Sequence, residues 1–144
     1  VTSGVAHLGI VGKDILIEKE SEEFIELKDL EIGQCRLSLA GKKDLLMGSA
    51  RMKIATKYPK SSIKFMESIG IQSEIIYLHG AQEIAPLMGL SDAIIDLVES
   101  GKTLKENGLQ EIQVIRDIST RLIANKAALK TKSILIQELV GVFN

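Results

Sequence analysis

A chain of 144 residues with 45% hydrophobic and 26% charged side chains can fill one ordinary core or two small lobes, which excludes disordered and fibrous classes. A net charge of −1, 3% aromatic residues and no run of Lys or Arg leave neither a basic strip nor enough stacking rings for nucleic acid. A single cysteine, no CxxC spacing, no apolar stretch near the ~20 residues of a membrane span and no export-signal layout at Val1 predict a reducing, cytoplasmic setting without membrane contact.

Short β-branched runs alternate with amphipathic stretches along the whole chain, a pattern that predicts an α/β fold. Leu8–Val11 reads as a buried strand stopped by Gly12, followed by a short helix over Lys13–Glu18, and Glu18–Glu23 reads as a solvated loop. Cys35–Ala40 is the next strand, and Met52–Ala55 another. Pro59 disfavours helix at Tyr58, so Ser61 or Ser62 is expected to cap a helix to Ser68 that Gly70 ends. Ile71–Leu78 reads as a strand, and Gln82–Met88 as a short helix with Pro86 in its first turns. Ala93–Val98 is nearly continuous in apolar residues, as a central parallel strand is, which makes Asp96 conspicuous. Glu111–Ile118 is predicted as strand, and Asp117 or Ser119 as the cap of a long final helix through Val142, kinked or broken at Thr131–Ser133.

The segment Ser91–Leu109 carries the chemistry. It places acids, a small-residue turn and a helix start directly after a buried strand. The first turn of a helix has N–H groups without intrahelical partners and lies at the positive end of the peptide dipoles. Gly101 would let backbone approach an anion, Ser100 and Thr103 could donate hydroxyls, and Lys102 could add a full charge. A P-loop is disfavoured, because position 96, where its pattern requires glycine, is Asp. A capped helix after a core strand would need only Ser100 and Thr103, but Asp92, Asp96 and Glu99 at one strand end suit ribose hydroxyls or a Mg²⁺ shared with a pyrophosphate. Strand alternation puts Asp92 and Asp96 on one face and Glu99 on the other, which favours Asp96 as the principal acid.

The run Asp92–Leu109 resembles the phosphoribosyl pyrophosphate (PRPP) signature of ATP phosphoribosyltransferases: an acidic strand end, a Thr/Ser-Gly-x-Thr-Leu loop and an Asn-Gly-Leu exit. Gly4–Asp14, Arg51–Pro59 and His79–Leu90 resemble further segments of that family in the same order. The resemblance implies a two-lobed fold like type II periplasmic binding proteins with a central cleft, lobe I being residues 1–38 and 113–144 and lobe II residues 39–112. It implies an enzyme that joins ATP to PRPP with Mg²⁺, the first step of histidine biosynthesis. Ser100, Gly101, Lys102, Thr103 and Leu104 would hold the 5′-phosphate and Asp96 would face the ribose, with Glu83, Asp92, Glu99, Arg51, Lys53 and Lys57 in the same site. Mg²⁺ would arrive with PRPP, with no protein ligand assigned to it and Asp96 as the one candidate. The implied partners are a homo-oligomer and, as in short-form members, a regulatory subunit related to histidyl-tRNA synthetases. The family's opening strand and Pro-Lys-Gly-Arg segment are not in this sequence, and His7 stands where its pattern has Asp. Two other readings are a non-catalytic solute-binding module of the same fold and a structural or regulatory subunit. His7 and His79 have no acids at metal-ligand spacing, and Cys35 with Met47, Met52, Met66 and Met88 reads as core filler.

Overall fold

A computed structural model describes residues 1–48 and 51–143. Its elements in chain order are β1 (Leu8–Gly12), α1 (Lys13–Lys19), β2 (Phe24–Asp29), β3 (Cys35–Gly41), β4 (Met52–Thr56), α2 (Pro59–Ser68), β5 (Ser73–Tyr77), β6 (Ala93–Val98), α3 (Lys102–Glu106), β7 (Gln110–Ile118), β8 (Thr120–Asn125), α4 (Lys126–Thr131) and α5 (Ser133–Val142). The chain divides into two compact units, Val1–Gln34 with Ile118–Asn144, and Cys35–Asp117.

The first unit is built on a three-stranded antiparallel sheet in the order β1-β8-β2. Central β8 buries Leu122, Ile123 and Ala124, with Leu16 of α1, Ala128 of α4 and Ile136 of α5 also buried. Here the predicted long final helix is corrected. Thr120–Asn125 is a strand, because neighbours on both sides satisfy its backbone, and the helix starts only at Lys126. Its cap is Asn125, whose Oδ1 accepts the N–H groups of Ala127 at 2.8 Å and Ala128 at 3.3 Å, rather than Asp117 or Ser119. The expected break falls at Lys132, between α4 and α5. β2 had no counterpart in the sequence reading. One end of this sheet carries an ion cluster: Arg121 bonds Glu26 at 3.0 Å and Asp29 at 2.9 Å, and Lys13 also meets Glu26.

The second unit is a five-stranded mixed sheet in the order β5-β4-β6-β3-β7. β4, β5 and β6 run parallel, and β3 is antiparallel to β6. The inner strands β4 and β6 are almost wholly buried, as their apolar runs require. On one face Ala40, Ala55, Ile94 and Val98 pack with Ala85, Leu104 and Leu109. Helix α2 begins at Pro59 and not at Ser61 or Ser62. Proline suits the first helical position because the N–H it lacks would have had no partner there. Ser62 is instead buried, its hydroxyl donating to Thr56 Oγ1 at 3.3 Å. Gln82–Met88 is not an α-helix either: a single 3₁₀ turn, Gln82–Ile84, opens after left-handed Ala81 and gives way to further turns.

Candidate functional site

Because β4, β5 and β6 are parallel, with Thr56 in register with both Tyr77 and Ile95, their C-terminal ends share one edge of the sheet. Ligands of open α/β sheets collect outside such an edge, where successive strands release their loops. The loops are Lys57–Tyr58 after β4, His79–Glu83 after β5 and Glu99–Gly101 after β6. A pocket of about 260 Å³ lies there, lined by Glu83, Asp96, Glu99 and the run Ser100–Leu104, with Ile94 beneath.

Strand alternation puts Ile94, Asp96 and Val98 on one face of β6. Ile94 and Val98 are buried, whereas Asp96 is half-buried and borders the pocket, its Oδ1 accepting the Leu97 N–H at 2.8 Å. The turn that follows is left-handed at Gly101, with φ of +78°. A Cβ at that position would meet only Val98 Cγ1 at 3.9 Å, so the backbone angle selects glycine here and crowding does not. Ser100 Oγ accepts the Lys102 N–H at 3.3 Å. Lys102 lies 3.8 Å from Glu106 with its side chain 80% exposed, a pairing too loose to hold it away from a ligand.

The helix behind this turn, α3, has five residues. So few aligned peptides sum to a small dipole, and an anion seat here would depend on the local N–H groups, the hydroxyls and Lys102. The helix ends in a Schellman motif. Gly108 donates to the Lys105 carbonyl at 3.0 Å and Leu109 to the Leu104 carbonyl at 2.8 Å, while Leu104 and Leu109 share the core below. The Asn107-Gly108-Leu109 exit is thus a helix terminator that anchors the loop.

Glu83, Asp96 and Glu99–Leu104 therefore come together at one pocket. Asp92 does not: it precedes β6, about 13 Å from Asp96 at the ordinary rise of a strand. There its Oδ2 accepts the Lys53 N–H at 2.7 Å and its own N–H donates to the Lys53 carbonyl at 2.8 Å, clamping the starts of β4 and β6. Lys53 stands at that same opposite edge, and Arg51 reaches Glu74 at 3.7 Å beside it. Lys57 follows β4 on the pocket's edge but lies over the Tyr58 ring, 5.2 Å from its centre, and does not line the pocket.

Two residues that the sequence reading passed over belong here. Arg36 and Ser38 on β3 sit directly across from Val98 and Asp96, on the pocket's side of the sheet. Arg36 donates through Nη1 to the Glu99 carbonyl at 2.9 Å and through Nε to both Glu111 oxygens at 2.8 and 3.1 Å. A charged side chain within the apolar run Cys35–Ala40 was the available signal. Among the described residues, no group of three or more His, Cys, Asp or Glu side chains gathers as a metal cage. The carboxylates of Glu83, Asp96 and Glu99 border the pocket without gathering into such a group. No helix among the described residues is long and apolar enough to cross a membrane.

A family model described as HisG, ATP phosphoribosyltransferase, matches residues 1–144. A curated ATP phosphoribosyltransferase from Methylococcus capsulatus is 48% identical over 141 residues, covering 98% of this chain and 66% of the relative, so the chain spans about two thirds of that protein's length. Among solved structures, the ATP phosphoribosyl transferase (HisG:HisZ) complex from Thermotoga maritima matches with a TM-score of 0.90 at 36% identity, over 98% of this chain and 70% of the other. A Candida albicans protein with the generic periplasmic binding protein fold matches at 0.64 and 16% identity, over 98% of this chain and 53% of the other, a likeness of fold alone.

Proposed function

The chain belongs to the ATP phosphoribosyltransferase family, and on that footing we propose that the pocket at the end of β6 seats the 5′-phosphate of PRPP in a reaction that joins ATP to PRPP. The observation that carries this reading is the convergence of Asp96, Glu83 and the Ser100–Leu104 turn on one pocket beyond the parallel strands. N–H groups of the turn, the Ser100 and Thr103 hydroxyls and Lys102 hold the phosphate, and Asp96 and Glu99 grip ribose hydroxyls.

In the reaction, the bond from adenine N1 to ribose C1 forms as the bond from C1 to the pyrophosphate oxygen breaks. The ribose becomes cation-like in between. A carboxylate beside it, Asp96 with Glu83 facing, stabilises that charge, and fixing the phosphate end aligns C1 with the incoming nitrogen. Mg²⁺ arriving with the pyrophosphate would supply charge neutralisation for the leaving group, and Asp96 is the carboxylate placed to meet it. The unit Cys35–Asp117 is lobe II in this reading, and Val1–Gln34 with Ile118–Asn144 contributes to lobe I. The partners are other copies of the chain and a regulatory subunit of the kind named in the Thermotoga maritima complex. The setting is the cytoplasm and the pathway histidine biosynthesis.

The test mixes the complete protein with ATP, PRPP and Mg²⁺ and follows the absorbance of the modified adenine ring. Product is expected; binding of PRPP without turnover would instead favour a solute-binding module.

A further inference from the structure

We propose that Arg36, tethered by Glu111, is a positioning residue for the loop Glu99–Thr103 and sets how tightly that loop holds a sugar-linked phosphate. The inference rests on the phosphate reading of the loop given above. Arg36 stands across from Val98, the last residue of β6, where the chain leaves the sheet. Its guanidinium joins three places at once: β3 that bears it, Glu111 at the start of β7, and the carbonyl of Glu99 at the loop's first residue. It is a side chain from another strand that bonds directly to this loop's backbone.

The remaining supports act elsewhere or act weakly. Val98 and Leu104 pin the two ends in the core, Ser100 Oγ meets a neighbour two residues away, and the Lys102–Glu106 pair is exposed on both sides. The peptide plane supplies the link to ligand binding. In a trans peptide the carbonyl of Glu99 and the N–H of Ser100 are held in one plane and point in opposite directions. Fixing that carbonyl on a guanidinium therefore fixes where the Ser100 N–H points. The charge-assisted bond also polarises the same peptide, which strengthens its N–H as a donor. Glu111 keeps the guanidinium in place and offsets its charge, so the device acts through direction more than through net charge. Lysine cannot replace it, because a single ammonium lacks the planar fork that spans Glu111 and the carbonyl together.

Isothermal titration of the complete protein with ribose 5-phosphate tests this, alongside steady-state kinetics. Arg36→Gln and Arg36→Lys are each expected to weaken ribose 5-phosphate about tenfold, raising the KM for PRPP while the KM for ATP stays unchanged. Glu111→Gln preserves size and decides between the two explanations if Arg36→Gln does not fold. Loss of orientation predicts weaker binding in this variant, whereas charge alone predicts tighter binding, since a negative group near the phosphate has gone. Wild-type affinity in Arg36→Lys, or a tighter Glu111→Gln, overturns the proposal. Gly101→Ala separates the two levels: if it loses affinity while the Arg36 variants keep theirs, only the positioning role fails, and if none loses affinity the phosphate loop itself is wrong.

Discussion

Ser38 and Asp96 face each other directly across the β3–β6 ladder, and the fully buried Ser38 hydroxyl has no hydrogen-bond partner among the described residues. A buried hydroxyl without a partner has lost its water and gained nothing in return, a cost of about 1–3 kcal/mol. Ser38→Ala removes that cost and leaves a methyl group across from Asp96. It is expected to leave stability unchanged or to raise it by up to about 1 kcal/mol in urea denaturation. A clear loss of stability would show that the hydroxyl has a partner in solution.

Gly101 and Gly108 bracket α3, both left-handed at φ of +78° and +66°, and a Cβ would meet nothing closer than Val98 Cγ1 at 3.9 Å at the first and nothing within 4 Å at the second. Alanine at either position meets the same backbone penalty of about 1–2 kcal/mol, reduced by a smaller gain from stiffening the unfolded chain. Gly101→Ala and Gly108→Ala should thus lose similar stability, near 1 kcal/mol, in thermal unfolding. Only the first puts a methyl group where backbone would approach a phosphate. Ribose 5-phosphate affinity is expected to fall strongly in Gly101→Ala and little in Gly108→Ala; equal losses in both would assign the effect to general loosening of α3.

What could be read in advance and what could not divide by range along the chain. The strand Ala93–Val98, the turn at Gly101 and the exit at Gly108 are local signals, an apolar run followed by two glycines at helix ends, and they are where the sequence put them. Of the three acids only Asp92 misled, because a clustered spelling is not a clustered structure. Four residues of extended strand carry Asp92 to the far edge, where backbone partners occupy it. Leu122-Ile123-Ala124 suits helix or strand equally, and only the pairing with both β1 and β2 decides it. For Arg36 only a charge inside an apolar strand was legible, since its partners lie 63 and 75 residues away.

Asn125 ends β8 and caps α4, and its Nδ2 also donates to the Val1 carbonyl at 2.9 Å. One side chain thereby closes the helix start and holds Val1. Asn125→Ala is expected to cost about 1–2 kcal/mol, the upper part of the capping range because a second bond goes with the cap. Asn125→Asp keeps the acceptor for the helix N–H groups but loses the donor to Val1. Urea denaturation of both should find the aspartate variant closer to the parent; equal losses would mean that the Val1 contact, and not the cap, dominates.

Asp29 gives the first unit an acid limit. Its carboxyl is held below the usual carboxylate range, chiefly by the Glu31 backbone N–H at 2.9 Å, then by the Ser119 hydroxyl at 2.8 and 3.0 Å, with Arg121 at 2.9 Å adding to the effect. A carboxyl with a depressed pKa in the folded chain is the more easily protonated once unfolded. Its stabilising contribution is therefore present in full above the ordinary aspartate value of about 3.9, and is lost as pH falls through the lower folded value. Asp29→Asn can still accept from Glu31 and Ser119 but carries no charge, so it isolates the ionic part. The variant should be less stable than the parent at pH 7, and the gap should narrow below about pH 4, as the parent's own carboxyl takes up a proton. Urea midpoints of the two proteins measured from pH 7 down to pH 2 test this, and a gap that stays constant throughout would show that the Asp29 charge contributes nothing to folding.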